Sequence, residues 1–346
     1  MKYKFYTTSE KAWAAMFEAI SNAKKSIYLE MYIFSDNTEN YDFFNSLGQK
    51  ARSGVKVKII IDASGSAELN KQTIKKIIGA GAELLFFNHW LHRSHRKILI
   101  VDENTAFWGG VNIHKYFQKW DDLQVRVKGR FVKNIVRSFA RAYGISGGKD
   151  QSILSLAEKN MEEKTGLWLV EHWHLSNHLS LKKYYVGKIE SAQKSIVIFT
   201  PYFMPRPWLI KALKRAVKRK IEVQIIIPSK ADNLSSPLIN RLNYLYISKI
   251  CLSGIKFFLL PNMNHAKAIL IDEKEGMVGS QNMDFLSYGH NAEIGVFFQD
   301  PAMVSDLKKI FDKWKKQSAP FNHLAFKPKW YDFFISPIIR IFQIVV

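Results

Sequence analysis

The sequence predicts an α/β protein of two pseudo-symmetric domains, each a mixed β-sheet flanked by helices, with the active site at their interface. Three observations carry the prediction: a short segment that occurs twice, a strand–helix–strand order that follows it both times, and one polar pattern completed once in each half. Ala23-x-Lys25-Ser26-Ile27 recurs as Ala192-x-Lys194-Ser195-Ile196. Internal self-similarity of this kind bears on architecture before any local propensity does.

Each copy leads into an apolar run, Ile27 to Phe34 (IYLEMYIF) and Ile196 to Phe203 (IVIFTPYF), of the length of a buried strand. Amphipathic stretches follow, FFNSLGQKARSG and LIKALKRAVKRK, whose apolar residues fall three and four apart as on one face of a helix. Next come β-rich runs, VKVKIIID from Val55 and IEVQIIIP from Ile221. Strand, helix and strand joined by short connections predict parallel pairing of the two strands. Gly144-Ile145-Ser146-Gly147-Gly148 is a breaker cluster, and a polar, helix-prone segment follows to about Lys164. The predicted domains are therefore 1–148 and 149–325, with an apolar tail over 326–346.

Composition narrows the function. In 346 residues, 47% are hydrophobic, which supplies real cores and excludes a disordered chain. Cys251 is the single cysteine, so an internal disulfide is excluded and a reducing compartment fits best. No Cys/His cluster has the spacing of a structural zinc site, and neither metal nor cofactor is expected. No apolar run reaches about 20 residues and the amino terminus lacks a signal-peptide core, so the expected body is soluble or peripheral. The 51 Lys+Arg against 30 Asp+Glu give a formal charge of +21. That surplus predicts a polyanionic partner, either nucleic acid or an anionic membrane leaflet.

The chemistry lies in one pattern, H-x-K-x4-D-x6-G-[GS]-x-N. His95, Lys97, Asp102, Gly109, Gly110 and Asn112 satisfy it in the first half, and His265, Lys267, Asp272, Gly279, Ser280 and Asn282 in the second. At roughly one in twenty per fixed position, a single chance match in this chain is on the order of one in ten thousand, and a pair is far rarer. Residues i and i+2 of a strand share a face, so His95 projects with Lys97 and His265 with Lys267, while the intervening apolar runs anchor the strands. Asp102 and Asp272 open polar turns, and the returning strands of each hairpin would bring Asn112 and Asn282 back beside the His and Lys. Two imidazoles, two ammonium groups and two amides suit a phosphodiester. The lysines and asparagines can hold its non-bridging oxygens without a metal, one neutral histidine can attack phosphorus, and the other can protonate the leaving alkoxide.

Each histidine needs an orienting acid on Nδ1. Asp122 lies 27 residues after His95 and Glu293 lies 28 after His265, which favours each acid as the partner of its own half's histidine. Asp102 and Asp272 complete the paired motif and so join the catalytic set. Their odd offset from the histidines and their place at a turn favour a capping role within it.

The paired pattern resembles the signature of the phospholipase D superfamily, and the resemblance extends from about Ala23 to Glu293. Within it, His92-Arg93-Ser94-His95-Arg96-Lys97, Gly109-Gly110-x-Asn112-Ile113, Trp120-Asp121-Asp122, Thr200-Pro201-Tyr202-Phe203-Met204-Pro205 and Gly279-Ser280-x-Asn282-x-Asp284 are similar to bacterial cardiolipin synthases. The resemblance implies two phospholipase-D-like domains and a two-step exchange through a phosphatidyl-histidine, with His95 as nucleophile and His265 as acid and then base. Two departures stand out: Leu286 occupies a position where the family usually has Arg, and the usual amino-terminal transmembrane pair is missing, as in shorter, peripheral members.

The carboxyl-terminal run from Trp330 to Val346 is strongly apolar but interrupted by Pro337, Arg340 and Gln343, which suits a membrane interface rather than a span. Lys211, Lys214, Arg215, Lys218, Arg219 and Lys220 mark a charged helix face able to meet anionic headgroups. No nucleic-acid-binding signature accompanies them. The expected function is a cardiolipin-making phosphatidyltransferase on the cytoplasmic face of a bacterial membrane, acting on phospholipids such as phosphatidylglycerol. A phospholipase D hydrolase releasing phosphatidic acid and a nuclease of the same superfamily are the alternatives.

Overall fold

The computed structural model describes residues 1–36, 38–89, 92–158, 166–173, 180–230, 237–327 and 329–334. The end of the apolar tail, Ile335 to Val346, lies outside the described residues, as do residues 159–164 at the end of the helix-prone stretch.

The first half runs β1 (Lys2–Thr8), α1 (Ser9–Ser21), β2 (Ser26–Met31), α2 (Phe43–Arg52), β3 (Lys56–Asp62), α3 (Lys71–Gly79), β4 (Glu83–Phe87), β5 (Lys97–Val101), β6 (Thr105–Gly109), β7 (Asp121–Lys128), α4 (Val132–Ile145) and α5 (Gln151–Leu154). The second half runs β8 (Leu167–His172), α6 (Ser180–Ser191), β9 (Ser195–Phe199), β10 (Phe203–Met204), α7 (Pro207–Lys218), β11 (Glu222–Pro228), α8 (Pro237–Ile250), β12 (Lys256–Leu260), β13 (Ala268–Ile271), β14 (Glu275–Gly279), β15 (Met283–Asp284), β16 (Glu293–Phe298), α9 (Pro301–Lys316) and β17 (Ala319–Pro320).

Seven strands form a mixed sheet in the order β1-β7-β6-β5-β2-β3-β4, and eight form another in the order β17-β12-β11-β9-β13-β14-β16-β8. As the repeat predicts, β2 pairs parallel with β3 and β9 parallel with β11; β2 also pairs antiparallel with β5, and β9 with β13. Every residue of β2 is buried, because helices cover both faces of a sheet centre built this way. Helix starts follow local chemistry: Asp42, Asn70 and Asp300 each accept a hydrogen bond from a first-turn amide of α2, α3 and α9. On α7, Leu209, Ala212, Leu213 and Ala216 are buried and the lysines face solvent, the one-sided pattern the sequence predicts.

The chain divides into two compact units. The first is Met1–Glu171 with Val278–Ser280 and Ala292–Gly295, and the second is the remainder. The breaker cluster does make a turn, with Gly147 at φ 86°, but the first unit continues past the boundary read at residue 148. Asp150 pairs with Lys58 of β3 at 2.7 Å, Arg137 donates to the Ala157 carbonyl at 2.9 Å, and Ile153 is fully buried. These contacts tie the segment after the glycines to the first sheet.

Candidate active site

In the first unit, His95 sits two residues ahead of Lys97, the first residue of β5, on an extended lead-in. Its backbone is held from two sides. Asp62, at the end of β3, accepts from Ser94 N at 2.8 Å while its other oxygen accepts from the amides of Ser64 and Gly65. His95 N donates to the Ala292 carbonyl at 3.0 Å, and Ala292 N donates to the Arg93 carbonyl at 2.8 Å. That short ladder sets Glu293 beside the imidazole.

His95 Nδ1 lies 3.1 and 3.2 Å from the two carboxylate oxygens of Glu293, and the Ser280 hydroxyl donates to Oε2. Glu293 is fully buried. Burial pushes its carboxyl up, but His95, Lys97 and the Ser280 hydroxyl outweigh that and hold it below the usual carboxylate range. An ionised carboxylate only accepts, so Nδ1 carries a proton and donates it to Glu293. The spacing predicts that Glu293 pairs with the histidine of its own half; the structure pairs it with His95 instead.

Lys97 is fully buried, its ammonium donating to the His95 carbonyl and lying 4.9 Å from the centre of the Tyr32 ring. The same ring meets the His95 imidazole edge-on at 4.8 Å. Burial raises the Tyr32 phenol pKa, so Tyr32 stays neutral beside the cation. Asn112 is buried at the start of the segment after β6; its backbone carbonyl accepts from Trp13 Nε1 at 2.9 Å, which fixes that segment to α1. Asp122 is buried on β7, and any Cβ on Gly110 would collide with its carboxylate. Gly110 therefore makes room for that acid.

The second unit repeats the local design. His265 and Lys267 are buried, and the Lys267 ammonium donates to the His265 carbonyl just as Lys97 does to that of His95. Asn282 is buried and its backbone N donates to Ser287 Oγ at 3.1 Å, while its side-chain oxygen accepts no hydrogen bond among the described residues. Thr200 Oγ1 accepts from Met283 N, and β10 pairs parallel with β15, which pins the Thr-Pro-Tyr-Phe segment alongside Asn282. Leu286 projects outward, 43% exposed.

The aspartates of the motif are not with the histidines. Asp102 accepts from the amides of Lys24, Lys25 and Ser26 at 2.7–3.1 Å, and Asp272 from those of Gln193, Lys194 and Ser195 at 2.7–2.9 Å. Both open tight hairpin turns, with φ of 53° and 54° followed by Glu103 at 50° and Glu273 at 55°. Their grouping with the catalytic residues gives way to the structural role. The recurring Ala-x-Lys-Ser-Ile segment is the docking strip for these carboxylates.

Sequence reasoning missed Tyr32, Ser280 as a partner of Glu293, and Asp62. It also read Arg96 only as part of a basic run. Arg96 is fully buried, ion-paired with Glu30 at 3.1 Å and Glu171 at 3.2 Å and bonded to Ser138. Glu30 inside an otherwise apolar strand was the available signal, because a buried acid requires a partner.

A two-fold α/β repeat that presents His, Lys and Asn twice, with an imidazole oriented by a buried carboxylate, defines a phosphodiester-processing protein of the phospholipase D class. The chain belongs to the family described as "Cardiolipin synthase, PLD-like domain", which matches residues 16–143 and 185–315. It is 29% identical over 343 residues to the probable cardiolipin synthase YwiE of Bacillus subtilis, covering 93% of this chain and 68% of that one. It is 30% identical over 338 residues to cardiolipin synthase 2 of Bacillus anthracis, covering 91% and 65%. The chain thus spans about two thirds of the length of these curated relatives. A crystal structure of phosphatidylserine synthase from Haemophilus influenzae shares the fold, with a TM-score of 0.76 at 15% identity over 99% of this chain and 92% of that one.

Proposed function

We propose that the chain is a phosphatidyltransferase that makes cardiolipin, moving a phosphatidyl group from a phospholipid donor onto the headgroup hydroxyl of phosphatidylglycerol. The observation that carries the reading is the His95–Glu293 pair, because it fixes the tautomer that a nucleophilic imidazole needs. His95 Nε2 attacks phosphorus, the P–O bond to the leaving alcohol breaks, and His265 supplies the proton that alcohol takes. His265 then removes the proton of the incoming hydroxyl, whose oxygen attacks phosphorus as the P–N bond breaks. Lys97, Lys267, Asn112 and Asn282 neutralise the non-bridging oxygens, and Asp122 is a second orienting carboxylate. The names of the curated relatives support the lipid class. The single thiol and the basic surplus support a peripheral place on the cytoplasmic face of a bacterial membrane.

The test is incubation with phosphatidylglycerol liposomes in the absence of divalent metal, followed by separation of the lipids. Cardiolipin plus glycerol is the expected result. Phosphatidic acid instead would convert the reading to a hydrolase, and DNA cleavage without lipid turnover would overturn both. His95→Ala is expected to abolish the covalent lipid adduct and His265→Ala to accumulate it; an adduct formed only when His95 is removed reverses the two roles.

A further inference from the structure

We infer that residues 321–327 and 329–334 form a preformed foot through which the second unit seats itself in the interface of an anionic membrane. Arg241 of α8 donates to both carboxylate oxygens of Asp332, from Nε at 2.8 Å and Nη2 at 2.5 Å. Nη2 also reaches the Lys327 carbonyl at 3.0 Å, and Lys329 N donates to Asp332 at 2.6 Å. The guanidinium lies 4.5 Å from the centre of the Phe326 ring, on which Tyr244 stacks at 6.3 Å. Asp332 is buried by this arrangement. A two-bond fork of this type fixes direction as well as distance.

What the fork holds in place is apolar and faces outward. Trp330 is 80% exposed, Phe333 79% and Phe334 65%, and Phe334 meets both of the other rings edge-on. Holding three large rings in water costs free energy unless something covers them. Lys327 and Lys329 stand exposed beside them, and the sequence continues as Ile-Ser-Pro-Ile-Ile-Arg-Ile-Phe-Gln-Ile-Val-Val. Tryptophan at headgroup depth, cations against anionic headgroups and a following apolar run are the paired signals that stable peripheral anchoring requires. The overall charge of +21 matches the same surface. Because the fork orders the segment beforehand, docking loses less conformational entropy.

This deepens the lipid reading, yet its readout is adhesion rather than turnover, so the two fail separately. The full chain is co-sedimented with phosphatidylglycerol vesicles and with phosphatidylcholine vesicles. The variant W330S/F333S/F334S is expected to bind phosphatidylglycerol vesicles at least about tenfold more weakly with an unchanged thermal midpoint. Unchanged binding overturns the inference. So does a midpoint lowered by several degrees, which would show the rings covered by the chain itself, or a wild-type dimer lost in the variant, which would assign them to a second copy. Asp332→Asn, which keeps the rings and weakens the fork, is expected to bind a few-fold more weakly; full binding removes the fork from the device. Equal wild-type binding to phosphatidylcholine removes the role of charge.

Discussion

Glu293 stands 198 residues beyond His95 in the chain and accepts its Nδ1 proton at 3.1 Å. The pairing follows from backbone bonds rather than side-chain search: Ala292 exchanges hydrogen bonds with Arg93 and His95, and Glu293 comes next. Glu293→Gln keeps the shape and an acceptor oxygen but removes the charge that stabilises a cationic imidazole. Turnover of phosphatidylglycerol is expected to fall by about 10²–10⁴ in kcat with little change in KM. A loss under threefold would remove Glu293 from the mechanism.

The motif aspartates predict the opposite split. Asp102→Asn and Asp272→Asn each leave one acceptor oxygen for three amides and should cost about 2 kcal/mol of stability, while kcat of the folded fraction stays within a few-fold of wild type. Burial pushes both carboxyls up, but the surrounding amides and lysines hold them net below the usual range. A carboxyl depressed in the folded state contributes stability that is present above its unfolded pKa, about 3.9, and lost as pH falls through the folded value. The gap in thermal midpoint between wild type and the Asn variants should therefore start to narrow as pH falls below about 3.9 and close as it passes the lower folded value, and a gap that stays constant throughout that fall contradicts the assignment.

Much of this was legible because strand periodicity reports faces. The offset of two put His95 with Lys97, and the odd offset of Asp102 put it elsewhere. The repeated order of strand and helix gave the parallel β2–β3 and β9–β11 pairs. Periodicity does not report which distant strand arrives alongside, so the spacing pairs Glu293 with His265 whereas the fold brings it to His95. The same limit hid Tyr32, which matters only because Met31 pairs with Lys97 across β2 and β5. A glycine-rich turn is a local signal too. It located a real bend at Gly147 but could not foresee that Asp150 would return to Lys58.

The two halves solve one packing problem differently, and that gives a third prediction. Glu30 lies opposite Ile98, three residues after His95, and Phe199 lies opposite Ala268, three after His265. The first half thus buries Glu30 with Arg96 where the second has Phe199 with Ala266. Arg96→Ala strands Glu30 without its guanidinium and should cost about 3–5 kcal/mol. The double variant E30F/R96A installs the second half's solution and should recover at least half of that, because an apolar pair of similar volume replaces a buried ion pair at little cost. Thermal or urea unfolding measures both. Absence of recovery would mean that Glu30 is required by Ser94, whose hydroxyl donates to it at 2.8 Å, or that Glu171 and Ser138 still require the guanidinium.

Gly110 and Ser280 occupy the same motif position, yet only one can carry a side chain in place. Ser280 uses its hydroxyl to bond Glu293, whereas a Cβ at Gly110 would collide with the carboxylate of Asp122. Gly110→Ala therefore has to displace Asp122, on a strand whose neighbours Leu123 and Gln124 are also buried. Overpacking of this kind costs about 1–3 kcal/mol. If Asp122 orients a reacting group, turnover should fall at least about tenfold beyond what the stability loss explains, since misplacement near 1 Å can remove a hundredfold. Pairing Gly110→Ala with Asp122→Ser, which clears the collision, separates the two effects. Stability should return while turnover stays low, and recovery of both would show that Asp122 serves packing alone.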